Sequence, residues 1–364
     1  MIRRLLARVF APLDMGLLAP MLLLIGCGLT VLFSAAGEDG GKVLDQVRNL
    51  AIAITLMWAI SLVPTQYLIQ VALPVYVVGV VLLIGVALFG EVSHGARRWL
   101  NIGVTRIQPS ELMKIAMPLM LAWYFHRREA NIRLWDFLIA AVLLAVPMLL
   151  IVKQPDLGTG LLIASSGFYV LFLAGLSWKI LVSLAVLAGA GMFPAWSLMH
   201  DYQRQRILTL LDPAQDPLGA GYHTIQSTIA LGSGGISGKG WMNGTQTHLD
   251  FLPERTTDFI FAVYGEEFGL IGNIILLTLY FALIVRGMMI AYGAGNLFGR
   301  LLAGSLTLTF FTYAFVNMGM VSGILPVVGV PLPLVSYGGT ALVTILLGLG
   351  ILMGIHSQKK LVQT

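Results

Sequence analysis

About ten runs of apolar residues succeed one another along the chain, near 14–34, 47–63, 71–89, 111–125, 136–152, 159–174, 179–198, 259–285, 301–322 and 334–356. A hydrocarbon core about 30 Å thick is crossed by about 20 residues of helix. The pattern therefore predicts an all-α, polytopic membrane protein with about ten transmembrane helices. Polar positions collect in short connections, with one exception that runs from His200 to Thr257. The chain reads as a single membrane domain, 1–364, with one large extracytoplasmic loop at about 199–257. Loops of that length usually carry function. Composition agrees with the pattern: 57% of residues are hydrophobic, 11% are charged, and mean hydropathy is +0.87.

Charge sets the orientation. Arg3, Arg4 and Arg8 precede the first run, which continues from Leu13 to about Phe33, longer than a signal-peptide core, so it reads as a retained anchor. Residues 2–10 read either as an interfacial helix on an anionic leaflet or, the favoured reading, as a topogenic basic tail. Alternate connections hold Arg127, Arg128, Arg133, Lys179, Arg286, Arg300, Lys359 and Lys360 with almost no acids, which places them and both termini in the cytoplasm. Arg97, Arg98 and Arg106 break this trend on the outer side. They suit either anion binding or pairing with loop carboxylates and lipid phosphates. The net charge of +5 forms no stripe of Lys and Arg with interleaved aromatics, which argues against nucleic acid. Cys27, the sole cysteine, rules out an internal disulfide and a thiol metal site and reads as packing.

Against this apolar background the outer-side acids stand out. Asp258 follows Phe251-Leu-Pro-Glu-Arg-Thr-Thr and enters the mouth of an apolar helix. A charge near hydrocarbon costs about 2.5–3.5 kcal/mol on insertion scales and is kept where it meets a cavity, partner or substrate. Glu111 and Lys114 open the fourth run after Pro109-Ser110 and share one helix face, either as an ion pair or lining a common cavity with Asp258. Asp156, in Gln154-Pro-Asp-Leu-Gly-Thr159, reads as a turn and helix cap at the same outer level. Glu266 falls close to the face of Asp258. Three prolines between Gly323 and Gly339 forbid a continuous helix there, so backbone at that depth must be buried or line a cavity. Gly350 and Gly354 read as helix packing. The run Gly232–Gly240 lacks the pattern of a phosphate loop and reads as a flexible loop over a site, preceded by an amphipathic helix at Tyr222–Leu231. No zinc motif and no nucleophile elbow occur.

Gly95-Ala-Arg-Arg-Trp-Leu100, Gln108-Pro-Ser-Glu-Leu-Met-Lys114, Gln154 to Thr159, Asp201-Tyr-Gln-Arg-Gln-Arg206, Leu252 to Asp258 and Gly329 to Gly339 together resemble the signature blocks of the SEDS family, in order along nearly the whole chain. The resemblance implies a ten-span polymerase on the outer face of the bacterial inner membrane that extends peptidoglycan glycan strands from lipid II. It also implies a class B penicillin-binding protein as partner. Asp258 matches the family's essential aspartate and Glu111 with Lys114 its cavity pair. Arg97, Arg98 and Trp99 match the block beside that cavity. Asp156 and Arg255, from two further blocks, complete the candidate substrate-binding set.

Joining sugars from lipid diphosphates needs a base and a means of stabilising the departing diphosphate. Asp258 is the expected base for the 4-hydroxyl of N-acetylglucosamine, with direct attack inverting the anomeric centre. Arg97, Arg98, Lys114 and the helix start at Pro109-Ser110 are the expected diphosphate contacts. A divalent cation, magnesium or manganese, on Asp258 or Glu111 would suit the same chemistry. Two other classes stay open: a flippase for lipid-linked precursors, whose charges belong near the midplane, and a scaffold, which leaves Asp258 unexplained.

Overall fold

The computed structural model of the chain describes residues 12–37, 40–93, 96–101, 106–154, 156–199, 204, 208–213, 221–249, 251–252 and 254–362. The basic segment 2–10 and much of 200–220 lie outside the described residues. The apolar runs are helical except for the start of the last, 334–339: α1 (Met15–Ala35), α2 (Gly40–Ser61), α3 (Thr65–Phe89), α4 (Pro109–His126), α5 (Leu134–Val152), α6 (Leu157–Leu173) and α7 (Trp178–Leu198). The long connection contributes α8 (Tyr222–Ser233) and α9 (Thr245–His248), and α10 (Ile260–Tyr292), α11 (Leu297–Val321) and α12 (Thr340–Val362) complete the bundle. Among the described residues, seven of these are long and apolar enough to cross a membrane: α1, α2, α3, α5, α10, α11 and α12. The others fall outside for local reasons. Glu111 and Lys114 interrupt α4, and α6 has 17 residues.

Two elements differ from the sequence pattern. The helix α2 begins at Gly40, ahead of its apolar run, and its polar first turns carry an exposed Asp45–Arg48 pair at 3.0 Å. The connection at 90–110 holds three strands, β1 (Glu91–Ser93), β2 (Ala96–Asn101) and β3 (Arg106–Ile107), paired antiparallel in that order. They are too short for an alternating pattern to announce them.

α11 is the most enclosed of the crossing helices, packed by α10, α6 and α4, with Leu301, Leu302, Met320 and Val321 fully buried. α12 lies along α2, where Gly350 and Gly354 meet the carbonyls of Met57 and Ser61 so closely that a side chain at Gly350 has no room.

α10 is broken at Gly269, whose φ of 63° and ψ of −158° belong to a region open only to glycine. In a regular helix Leu270 and Ile271 would donate to the carbonyls of Glu266 and Glu267. Here the segment 235–240 is inserted between them. Leu270 N donates to Gly235 O (2.9 Å) and Ile271 N to Ile236 O (3.1 Å), while Glu266 O and Glu267 O accept from Lys239 N and Gly240 N (both 3.0 Å). The glycine run is thus a fixed insert, not the flexible loop its composition suggests. Side chains from Ile260 to Glu267 are all buried, whereas Leu270, Ile271, Ile274 and Ile275 are exposed apolar residues. The lipid-facing helix therefore starts after the break, and 260–268 is an enclosed arm above it.

At the other end of the bundle Asp14 caps α1, accepting from Leu17 N at 3.0 Å, and takes a bidentate pair from Arg286 of α10 at 2.9 and 2.6 Å. His356 of α12 approaches the same carboxylate at 3.3 Å. Asp14 is 5% exposed, so removing its cation leaves a nearly buried charge. Arg286→Met should cost about 3 kcal/mol, read as a lower unfolding temperature in detergent, and Asp14→Asn/Arg286→Met should recover part of it.

Candidate active site

The helices α4, α6, α10 and α12 begin, and α1, α3 and α11 end, at the end of the bundle that carries Asp258. Between α11 and α12 the chain does not continue as helix, because Pro326, Pro331 and Pro333 cannot complete the helical ladder. It folds instead into a buried apolar turn with Leu332, Leu334 and Val335 inside. With little water available, side chains satisfy its backbone. Ser336 Oγ accepts from Leu332 N (2.8 Å) and donates to Thr257 O (2.6 Å), Tyr280 Oη donates to Pro333 O (2.5 Å), and Gln46 of α2 donates to Ser336 O (3.2 Å) and accepts from Gly338 N (3.1 Å).

This turn holds Asp258. Tyr337 N donates to Thr256 O at 2.9 Å. Asn317, fully buried on α11, uses both hydrogens of its amide: one reaches Asp258 O at 2.8 Å and the other Val330 O at 2.7 Å. One amide thus joins the carbonyl of the aspartate to the turn beside it. Gly329, with φ +71°, brings backbone against the carboxylate, since a Cβ there would stand 3.4 Å from Asp258 Oδ2. Asp258 is half-buried, and among the described residues no cation pairs with it. Burial, and after it the negative charge of Glu254, raises its pKa from 3.8 to about 6.

The remaining candidates are mostly committed to one another. Glu111 and Lys114 make an ion pair of 2.6 Å. Thr344 of α12 donates to the second oxygen of Glu111 at 2.9 Å, and Lys114 Nζ lies 5.1 Å from the centre of the Tyr313 ring. Of its two readings the pair takes the ion pair; Lys114 also lines an opening between α4, α11 and α12 with Tyr313, Thr309 and Thr344, which Asp258 does not line. Tyr313 and Asn317 are one turn apart on α11, so the Lys114 pair lies about 6 Å along that helix from the anchor of Asp258. Val330, which accepts from Asn317, also packs on Tyr313, which closes the connection between the two groups.

Asp156 caps α6 through Thr159 N (3.1 Å) and meets Arg98 of β2 at 3.3 Å. Its helix runs beneath the turn, where a Cβ on Gly158 would stand 2.6 Å from Val328 O. Of the two readings for the outer arginines, Arg98 takes the carboxylate pairing. Arg97 stands opposite Val92 in the β1–β2 ladder, its side chain outside the described residues, and Trp99 stands half-buried opposite Glu91. Arg255 is engaged in the frame of the loop, donating to Ala35 O and Thr247 O, both at 2.7 Å. Glu266 is fully buried and binds Lys239 at 2.7 Å. Asn317, Ser336 and Thr344 were not singled out in the sequence, although Asn317 is the one carboxamide in the ninth apolar run.

The fold and site define a multi-pass helical membrane protein with a partly buried carboxylate enclosed by helix starts at one end. The family model for cell cycle proteins of the FtsW, RodA and SpoVE type matches residues 15–361, and the chain belongs to this family. It is similar to the peptidoglycan glycosyltransferase MrdB of Escherichia coli strain K12, 52% identical over 351 residues, 96% of this chain and 95% of that protein. Its fold is similar to a chain in a solved assembly described as structural coordination of polymerization and crosslinking by a peptidoglycan synthase complex. There the TM-score is 0.83 and identity 32%, covering 95% of this chain and 98% of the other. It is also similar to the crystal structure of the rod shape determining protein RodA of Thermus thermophilus, with a TM-score of 0.72 and 29% identity, covering 95% and 97%.

Asn317→Leu keeps the volume and removes both donors, leaving the carbonyls of Asp258 and Val330 unpaired. Each should cost about 1–3 kcal/mol, read as a lower unfolding temperature.

Proposed function

We propose that this protein is a peptidoglycan glycosyltransferase that polymerises glycan strands from lipid II, with Asp258 as general base. The observation that carries the reading is the state of Asp258. It is the carboxylate held at the mouth by an amide, a hydroxyl-tied turn and a glycine, with no cation paired to it among the described residues and a pKa raised to about 6. A base poised there takes a hydroxyl proton more readily than an ordinary carboxylate and is still charged at pH 7. Asp258 accepts the proton of the 4-hydroxyl of N-acetylglucosamine while that oxygen attacks the anomeric carbon, and the lipid diphosphate departs with inversion. Lys114 and the converging helix starts of α4, α6 and α10 offer positive potential to that diphosphate.

A divalent cation fits this site on one carboxylate. Glu111 is taken by Lys114 and Thr344, and no group of three or more metal-binding side chains occurs among the described residues. Magnesium commonly binds one carboxylate together with substrate phosphates and water, which Asp258 and the diphosphate provide. When bound, such an ion supplies charge neutralisation to the leaving group.

In this reading the chain crosses the bacterial inner membrane about ten times, with both termini in the cytoplasm and Asp258 on the outer face. The short connections at the Arg286 end, with Arg127, Arg128, Arg133, Arg286 and Arg300, support this orientation by the positive-inside trend, and Arg97, Arg98 and Arg106 are its exceptions on the outer side. The partner is a class B penicillin-binding protein that crosslinks the new strand, as the similarity to a chain of a peptidoglycan synthase complex supports.

Purified protein, with and without this partner, should form strands from labelled lipid II, and folded Asp258→Asn should lose at least about a hundredfold in rate. Transfer of lipid II across sealed vesicles without strand formation would assign the chain to the flippases instead. With no cation on Asp258 the rate should fall as pH drops through about 6, where the carboxylate takes up its proton, and Glu254→Gln should move that limb to lower pH; a cation bound to Asp258 would move it down further. Excess chelator should stop polymerisation and magnesium or manganese restore it; full activity in chelator removes the cation from the scheme.

A further inference from the structure

The break in α10 places a second assembly about 13 Å from Asp258, at the far end of the nine-residue arm 260–268. Its centre is Glu266, a carboxylate with no exposure. Lys239 Nζ reaches it at 2.7 Å, Gln246 N at 3.0 Å, Thr245 Oγ1 at 3.2 Å and Thr247 Oγ1 at 3.3 Å. Around this cluster the insert 235–240 supplies the four backbone bonds that replace two rungs of the helix. Gly234, Gly238 and Gly269 allow the two strands of chain to touch, since a Cβ at any of them collides with backbone of the other.

A buried ion pair is a weak way to gain stability, because apolar residues of the same volume usually do as well. What it provides here is direction. The arm is fixed at its tip by Asn317 and Ser336, through carbonyls at 257 and 258, and at its base by the insert. With the base freed, the bonds to the carbonyls of residues 257 and 258 alone set the direction of the arm, and they must yield for it to tilt. A tilt of about 5° at the base moves a tip 13 Å away by about 1 Å, the scale of misplacement that costs about a hundredfold in rate.

We propose that the insert 235–240, locked by the Lys239–Glu266 pair, is a positioning clamp that sets the angle of the arm and so aims Asp258 at its hydroxyl. Lys239 and Glu266 are positioning residues that act on the reaction without touching substrate. The proposal rests on the reading of Asp258 as general base.

The test uses full-length protein with its penicillin-binding partner and labelled lipid II, comparing wild type, Asp258→Asn, Lys239→Met and Lys239→Arg. Lys239→Met should lower kcat about tenfold while KM stays within about threefold, because the substrate's own contacts are intact. Hydrogen exchange over 235–240 and 265–271 should quicken in the same variant, and Lys239→Arg should restore both readouts. A kcat equal to wild type, a loss confined to KM, or no rescue by arginine overturns the clamp. If Lys239→Met does not fold, Thr245→Val removes the two bonds of one exposed hydroxyl, from Lys239 and to Glu266, and should lower kcat two- to threefold at constant KM; an unchanged kcat overturns the proposal equally. Wild type that makes no strands removes the glycosyltransferase reading and the clamp with it, whereas active wild type and inactive Asp258→Asn keep the reading whatever Lys239 does.

Discussion

Backbone groups that leave a helix inside a membrane protein need partners from the protein itself, and this requirement shapes the whole outer end of the bundle. The chain leaves helical geometry there twice, at Gly269 and between Gly323 and Gly339. Each departure is resolved by an insert or by polar side chains from elsewhere: Gln46 from α2, Tyr280 from α10, Asn317 from α11 and the 235–240 segment. These partners also fix Asp258. The groups that satisfy the irregular backbone and those that orient the carboxylate are the same groups.

Charge is distributed on a matching principle. Glu111, Asp156 and Glu266 each have a cation, at 2.6, 3.3 and 2.7 Å, and neutral pairs are cheaper to hold in low dielectric than isolated ions. Asp258 is left with burial and a neighbouring carboxylate, and its pKa rises to about 6. Burial and a nearby lysine pull an aspartate in opposite directions, and here burial prevails because Lys114 is committed to Glu111.

Much of this was legible in the sequence where the signal is local. Apolar runs gave the helices, the spacing of three between Glu111 and Lys114 gave their shared face, and the prolines between 323 and 339 gave a non-helical, enclosed turn. The rest depends on contacts between distant positions. Nothing near Gly269 announces a break, since its cause is a segment about 30 residues earlier, and glycine-rich composition reads as flexible until its partner backbone is seen. Asn317 passed as one polar residue in an apolar run, and Arg255 looked like part of a cavity when its reach is to Ala35 and Thr247.

The broken helix also bears on how the protein is assembled during synthesis. As an unbroken rod α10 would measure about 50 Å, some 20 Å more than the hydrocarbon it crosses. Its 33 residues emerge from the ribosome after the segment that divides them. The insert thus precedes its partner in the chain, and the break at Gly269 requires both segments to be present. The direction of the arm that leads to Asp258 is set by contact between two segments and not by either one's own preference.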